Sequence, residues 1–593
     1  MKSLLHLNKY FFRYRFRLIA GFIFVALSGW FKVYSTPYVR KAIDYAQDTY
    51  LHHPEAIPFA GSRLLWYILI VLGMALMSGF FLFLTRQTII VTSRLIEYDL
   101  KNEVYEHYQK LDMAFYKTHN TGDLMNRISE DVSRVRMYVG PALMYSVNTF
   151  TLITITLIIM LQVNLKLTLY VLSPMTLLYF AIYYISKIIN NKSTFVQQQL
   201  STLFDKAQES FSGIRVVKSY RLEPQVVRDY EKECNEYKKR NISLVKVDAL
   251  FMPFLSFLVG LSTILVIYAG GKDVIHGTLT IGNIAEFTIY VTNLTMPIAS
   301  LGWITSLVQR AAASQTRINE FLQTETKIKA LVKDSVIPII KGNTEFSDVS
   351  FTYRDSGTRA LQNVSFSIAA NESLGIVGRT GSGKTTVAQL LCRLYDPDSG
   401  SVKIDGRDIR QLSLNTLRAN IGYVPQEVFL FSDTIGNNIA FSVSGKERYG
   451  ADLKSMIDGA ARDAAIYDNI KEFREGFETV VGERGITLSG GQKQRVSIAR
   501  ALLKNPRILV FDDCISAVDT KTEQEILLNL KKRMQGRTTI IISHRISTVK
   551  MCDKVLVLDM GKVAEYGSHN ELLARKGLYN SMFEMQLTDD QRN

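Results

Sequence analysis

The sequence predicts a two-domain membrane protein. An all-α region of six membrane-spanning helices with long cytoplasmic helical extensions comes first, and an α/β domain follows. Three observations carry this. Uncharged apolar runs long enough to cross a bilayer occur only before about residue 310. After that point short β-rich runs alternate with helical stretches. Within that second part a glycine-rich stretch stands between a predicted strand and a predicted helix, the setting of a phosphate-binding loop.

Length and composition agree. The chain has 593 residues, too many for one ordinary domain. It is 47% hydrophobic and 21% charged, which excludes a disordered or coiled-coil chain. Cys234, Cys392, Cys514 and Cys552 form no C-x-x-C pair, so disulfide-scaffold, zinc and thioredoxin-like readings fail. The mean hydropathy of +0.06 averages an apolar half with a soluble half.

The spans come in order. Trp66–Leu84, Met137–Leu165, Leu167–Ser186, Ala249–Gly271 and Phe287–Gln309 contain no Asp, Glu, Lys or Arg. Pro141 puts the true start of the third span later than Met137. Leu18–Val39 is broken only by Lys32, which can snorkel or face a cavity, and it counts as the first span. It is too long for a signal-peptide core and no small-residue cleavage site follows, so it is expected to be retained. Lys2, Lys9, Arg13, Arg15 and Arg17 put the N-terminal stub in the cytoplasm. With six alternating spans, the Lys- and Arg-rich segments Arg86–Arg136 and Lys187–Lys246 also fall on the cytoplasmic side. The other side receives connections around Asp44–Arg63, Asn164–Lys166 and Lys272–Gly282.

The two cytoplasmic segments are amphipathic and too long for turns, so the helices are expected to run past the bilayer and reverse at short elements. Thr121-Gly122-Asp123-Leu124 and Ser212-Gly213-Ile214-Arg215 are the expected turns, because glycine interrupts the helical pattern there. The expected division is a six-span region over 1–325, a linker over 326–341 and an α/β domain over 342–593. Leu374–Val377, Arg507–Phe511, Thr538–Ile542 and Lys554–Leu558 read as buried strands of a largely parallel sheet.

Gly378-Arg379-Thr380-Gly381-Ser382-Gly383-Lys384-Thr385 fits G-x-x-x-x-G-K-[ST] between the strand at Leu374–Val377 and a helix opening at Thr386. Backbone N–H groups of such a loop curl around phosphates, and the helix N-terminus adds partial positive charge. Lys384 is expected to reach the β- and γ-phosphates, and Thr385 to offer a hydroxyl to Mg²⁺. Ile508–Asp512 is an apolar strand ending in an acid placed to hold Mg²⁺, and Asp513 follows, where an acid can orient or deprotonate attacking water. The second domain therefore reads as an α/β P-loop domain that holds a nucleotide with Mg²⁺. Leu488-Ser489-Gly490-Gly491-Gln492 before the helical run Lys493–Leu503 is a second anion-seeking turn, more than one nucleotide needs.

In the order of these motifs the chain resembles the ATP-binding-cassette superfamily, and with six preceding spans a half-transporter of the exporter type, over nearly its whole length. The resemblance implies that the second domain is an α/β P-loop ATPase domain using ATP and Mg²⁺, and it implies several roles. Tyr353 matches the aromatic that stacks on adenine, and Gln426 the glutamine that contacts Mg²⁺ and senses the membrane domain. Leu488–Gln492 matches the family signature, which closes on ATP held by the P-loop of the other subunit. Glu483, in Thr479–Gly485, resembles the exporter segment that touches the coupling helices. Asp519, in Ser516–Asp519, matches the loop at the dimer interface, and His544 matches the switch histidine at the γ-phosphate. Gly122, Asp123, Gly213 and Arg215 would belong to the coupling helices. The working unit would be a dimer with two composite ATP sites, a homodimer or a heterodimer.

The family usually carries Glu where this chain has Asp513. A carboxylate one methylene shorter sits about 1 Å further from the water, and such a misplacement costs about 10²-fold in rate. Slow turnover at this site is the expectation, with a partner chain supplying the competent Glu as one reading and a homodimer that tolerates Asp as the other. Cargo is less legible. Lys32, Asn148, Glu286 and Asn293 are polar residues in or beside apolar spans, and each suits a transport pathway or a helix–helix contact. The family favours amphipathic drugs or lipids, exported or flipped across the plasma membrane. A membrane-anchored ATPase that gates a pore and an importer built on the exporter fold are the alternatives. The net charge of +15 is spread over the cytoplasmic loops and the second domain, and anionic lipid headgroups suffice as its counterpart, with no nucleic acid as partner.

Overall fold

The computed structural model describes residues 2–52, 57–329, 340–443, 452–482, 488–514 and 520–590. The chain divides into two compact units, one of Met1–Gln109 with Thr121–Thr324, the other of Lys110–Asn120 with Glu325–Asn593. The second unit thus includes a short stretch, 110–120, from deep within the membrane half of the sequence.

In the first unit, among the described residues, six helices are long and apolar enough to cross a membrane: Arg15–Leu51, Gly61–Lys110, Thr121–Val163, Leu165–Ser212, Glu223–Ile275 and Ile281–Leu322. Their 37 to 53 residues far exceed the roughly 20 a bilayer needs, so long extensions are continuous with the spans. The reversals are short because side chains satisfy the free helix-end N–H groups. Asn164 turns the chain alone, its Oδ1 accepting from Leu167 N at 2.9 Å. Thr280 and Asn283 form a reciprocal capping box at the start of the sixth helix. Pro141 lies in a widened π-turn, Tyr138–Ala142, which absorbs the missing N–H and leads into the apolar helix Leu143–Val163.

Small residues let these helices approach closely. A Cβ on Gly21 would lie 2.4 Å from Ile89, and one on Gly140 2.6 Å from Ser93. Glu286, fully buried in the sixth helix, accepts from Arg40 Nη1 at 3.0 Å and from the Tyr290 hydroxyl at 2.7 Å. About one turn further along the first helix, Asp44 accepts from Gly282 N at 2.9 Å and from Thr280 Oγ1 at 3.0 Å. Glu286 therefore joins the first and sixth helices, the helix–helix alternative of the two left open for it; Lys32 is exposed.

One expected turn falls elsewhere. Gly122 and Asp123 lie inside the helix Thr121–Asn126, and Asp123 pairs with Arg127 at 2.7 Å. The chain instead breaks at Leu111–Asp112 and His119–Asn120, on either side of the helix Met113–Thr118. Asp112 makes the break, its carboxylate capping Phe115 N at 3.2 Å. Glycine at an early helical position costs too little to break a helix that packing supports. Gly213 does end a helix, Leu165–Ser212, and Arg215 is exposed on the six-residue helix Ile214–Ser219 that follows.

In the second unit the described strands are β1 (Thr344–Thr352), β2 (Arg359–Ile368), β3 (Ser373–Gly378), β4 (Ser399–Ile404), β5 (Arg407–Asp408), β6 (Ile421–Val424), β7 (Ile508–Asp512), β8 (Thr538–Ile542), β9 (Lys554–Asp559) and β10 (Lys562–Gly567). One sheet has the order β10-β9-β3-β8-β7-β6, parallel except for β10. Residues of β3, β7 and β8 are buried throughout, as a sheet covered on both faces requires. A separate antiparallel sheet, β2-β1-β4-β5, stands beside it.

Candidate nucleotide site

Four loops leave the carboxyl ends of adjacent parallel strands β3, β8, β7 and β6, where α/β sheets place ligands. The phosphate loop follows β3, His544 follows β8, Asp512 and Asp513 end β7, and Gln426 follows β6. Register brings them level: Ile542 pairs with Asp512 on one side and with Ile376 on the other.

The loop needs its glycines. Gly383 has φ +97°, and a Cβ there would lie 2.3 Å from Ala360 O. Gly378 would place a Cβ 2.2 Å from Leu558 O. The helix Lys384–Leu391 opens directly from this loop. Lys384 Nζ donates to the carbonyls of Gly378 and Arg379, both at 2.9 Å. Burial lowers its pKa, with Asp513 and Asp512 opposing.

Thr385 Oγ1 donates to Asp512 Oδ1 at 3.1 Å, and the Tyr423 hydroxyl reaches Oδ2 at 3.4 Å. Burial lifts the Asp512 carboxyl from 3.8 to about 6; the bonds from Thr385 and Tyr423 and the charge of Lys384 pull the other way, and Asp513 adds to the rise. Asp513 is half-buried with a left-handed backbone, φ 45°, fixed by its N–H to Ile542 O at 2.8 Å. His544 is half-buried; burial and Lys384 lower its pKa, and Asp513 opposes them.

Tyr353 sits just beyond β1. Its hydroxyl bonds Gln389 Oε1 at 2.8 Å and Thr386 Oγ1 at 3.0 Å, which ties the ring to the phosphate-loop helix. Lys117 Nζ lies 4.1 Å from the ring centroid and pairs with Asp355 at 3.2 Å. Asp112 binds Lys327 N at 2.8 Å. The stretch 110–120 thus packs on the aromatic of the site, a relation that nothing in its local sequence signals.

A cavity of about 240 Å³ is lined by Tyr353, Thr380, Gly381, Gly383, Lys384, Thr385, Thr386, Gln426, Asp512, Asp513 and His544. Thr358, Ala360 and Ile542 also line it and were not anticipated, since sheet neighbours bring them in. Gly378, Arg379 and Ser382 belong to the loop but not to that lining; Ser382 Oγ is buried without a hydrogen bond among the described residues.

Leu488–Gln492 is elsewhere. Ser489 caps the helix Gly490–Leu503, with Ser489 Oγ accepting from Gln492 N at 3.2 Å and Gln492 Oε1 from Ser489 N at 3.0 Å. Leu488 is buried, Ser489 and Gly490 are exposed, and none of the five residues lines the cavity. Glu483 and Asp519 lie outside the described residues.

Comparison with known proteins agrees with this architecture. Residues 18–298 match the ABC transporter transmembrane region and residues 361–516 the ABC transporter domain. A probable multidrug resistance ABC transporter ATP-binding/permease protein of Bacillus subtilis is 37% identical over 83% of this chain and 83% of its own. An ATP-dependent lipid A-core flippase of Syntrophus aciditrophicus is 36% identical over 83% of this chain and 80% of its own. The structure of a bacterial Atm1-family ABC exporter with ATP bound superposes with TM-score 0.77 at 29% identity, covering 97% of this chain and 99% of that one. With six membrane-spanning-capable helices among the described residues, a candidate nucleotide site at the carboxyl edge of a parallel sheet and relatives similar along most of its length, the chain belongs to the ABC transporter family and joins that family's transmembrane region and its ABC transporter domain in one polypeptide.

Proposed function

We propose that the chain is one half of an ATP-driven exporter or flippase. It moves an amphipathic drug or lipid across the plasma membrane by alternating access, with its nucleotide domain in the cytoplasm. The observation that carries this is the separation of the Ser489-capped signature from the cavity built by Lys384, Thr385 and Asp512. A second half with its own signature would complete the site, and the exposed helix end at Ser489 would serve that half's nucleotide in return. Similarity to a multidrug transporter and a lipid A-core flippase supports an amphipathic cargo.

In this reading the phosphate loop and Lys384 bind and orient the phosphates, Tyr353 stacks on the base, and His544 contacts the γ-phosphate. The Thr385 hydroxyl, the Asp512 carboxylate and the Gln426 amide line one cavity and form an oxygen donor set that fits Mg²⁺. Among the described residues no three His, Cys, Asp or Glu could hold a metal by themselves, so the ion would arrive with the nucleotide. When bound it neutralises phosphate charge. Asp513 orients the attacking water from a shortened side chain, so turnover at this chain's own site is slow. Signature residues Leu488–Gln492, the loop at Asp519 and the segment at Glu483 take the interface and coupling roles of the family. Coupling also passes through Met113–Thr118 and through the Gly213–Arg215 turn, since Lys117 pairs the former with Asp355 of the nucleotide domain and Asp112 binds Lys327 of the linker.

The test is transport in inside-out vesicles. ATP-dependent accumulation of a fluorescent lipid or cationic drug is the expected outcome. Nucleotide-linked current without accumulation would favour a gated pore, and ATP-dependent loss from preloaded vesicles an importer.

A further inference from the structure

We propose that Gln586 is a positioning residue for the switch histidine His544, acting from the C-terminal helix Leu578–Asp590. One carboxamide uses both its ends. Gln586 Nε2 donates to the His544 carbonyl at 2.6 Å, and Gln586 Oε1 accepts from Ile546 N at 2.7 Å. The two peptide groups flanking Arg545 are thereby held from outside.

The local backbone needs this support. The helix Ile546–Val549 has four residues, and its N-cap, Arg545, makes no side-chain capping bond. A first-turn N–H has no acceptor within its own helix. Gln586 supplies from a distant helix what a capping Ser or Asp supplies locally. The opposite side is held by the buried Glu523, which accepts from Thr548 Oγ1 at 3.1 Å and from the Arg545 guanidinium. Together the two contacts hold the backbone from the His544 carbonyl to Thr548.

The helix that carries Gln586 is itself anchored. Glu565 accepts from Leu578 N at 2.5 Å and from Tyr579 N at 3.3 Å. Tyr579, fully buried, bonds His569 Nδ1 through its hydroxyl at 2.7 Å. Gln586 lies about two helical turns on, close to the same helical face. The contact thus runs from near the end of the described chain to a residue lining the nucleotide cavity.

The role rests on ATP hydrolysis at that cavity, so the experiment has one readout that needs turnover and one that does not. In the full-length chain, Gln586→Met keeps length and removes both hydrogen bonds. Gln586→Glu keeps an acceptor for Ile546 but loses the donor to His544. For Gln586→Met we expect kcat lower by about tenfold with KM for ATP within about twofold. No further loss is expected in a His544→Ala background, and Gln586→Glu should fall between. Amide exchange over Ser543–Val549 should accelerate in Gln586→Met while the thermal midpoint stays near that of the unaltered chain. Unchanged exchange over that segment overturns the proposal even if the unaltered chain shows no turnover, an outcome that would count against the hydrolysis reading separately. An equal kcat loss in the His544→Ala background, or KM and midpoint moving with kcat, overturns it as well.

Discussion

Thr385 Oγ1 and Asp512 Oδ1 are 3.1 Å apart, joined by a hydrogen bond that spans 127 residues of sequence. The bond unites the end of the phosphate loop with the end of β7. It exists because β3 and β7 both pair with β8, so their carboxyl ends reach the same level.

The buried Asp512 carries a stability cost when ionised. Its carboxyl is raised from 3.8 to about 6. A raised folded-state value means the group favours the fold fully below its unfolded value, and that contribution is lost as pH rises through about 6. Asp512→Asn should therefore stabilise the nucleotide-free chain at pH 8, by on the order of 1–3 kcal/mol, and should abolish hydrolysis. Thermal midpoints from about pH 4 to pH 8 test this, and the gain should vanish toward the acid end.

Asp513→Glu should raise kcat by roughly 10- to 100-fold if the shorter carboxylate limits the step. Steady-state ATPase of the chain purified alone is the measurement. A robust basal rate that rises in the variant would remove the need for a partner chain; no rise would move the limitation away from reach.

The ion pair of Glu286 with Arg40 should be costly to break from one side. Arg40→Met leaves the buried Glu286 carboxylate without its countercharge, at about 3–5 kcal/mol, whereas Glu286→Gln leaves only the partly exposed Arg40 and should cost less. The double variant Glu286→Met with Arg40→Met should recover much of the loss. Unfolding midpoints in detergent, compared between the single and double variants and the unaltered chain, decide it.

Lys117→Ala should raise KM for ATP several-fold, because the Tyr353 ring loses a cation on its face and Asp355 its partner. Lys117→Arg should restore most of the affinity. An unchanged KM in Lys117→Ala would detach the 110–120 stretch from base binding.

Much of the architecture was legible because it depends on local pattern. Apolar runs located the spans, and strand–loop–helix order located the phosphate loop. The strands expected at Leu374–Val377, Arg507–Phe511, Thr538–Ile542 and Lys554–Leu558 match β3, β7, β8 and β9 to within a residue or two. Local pattern failed at Gly122, where glycine proved weaker than the packing around it, and the actual break depends on the Asp112 cap.

Local chemistry in the sequence determined the fold class, the six spans and the glycine-rich strand–loop–helix segment, and it named most residues that line the cavity at the sheet edge, since each is written in composition, period or a contiguous motif. Tertiary structure alone decided that Arg40 neutralises Glu286, that Lys117 lies on Tyr353, and that Gln586 holds the backbone of His544. These pairs are distant in sequence, and hydrogen bonds and ion pairs of a few ångströms depend on register and helix packing that no local pattern encodes.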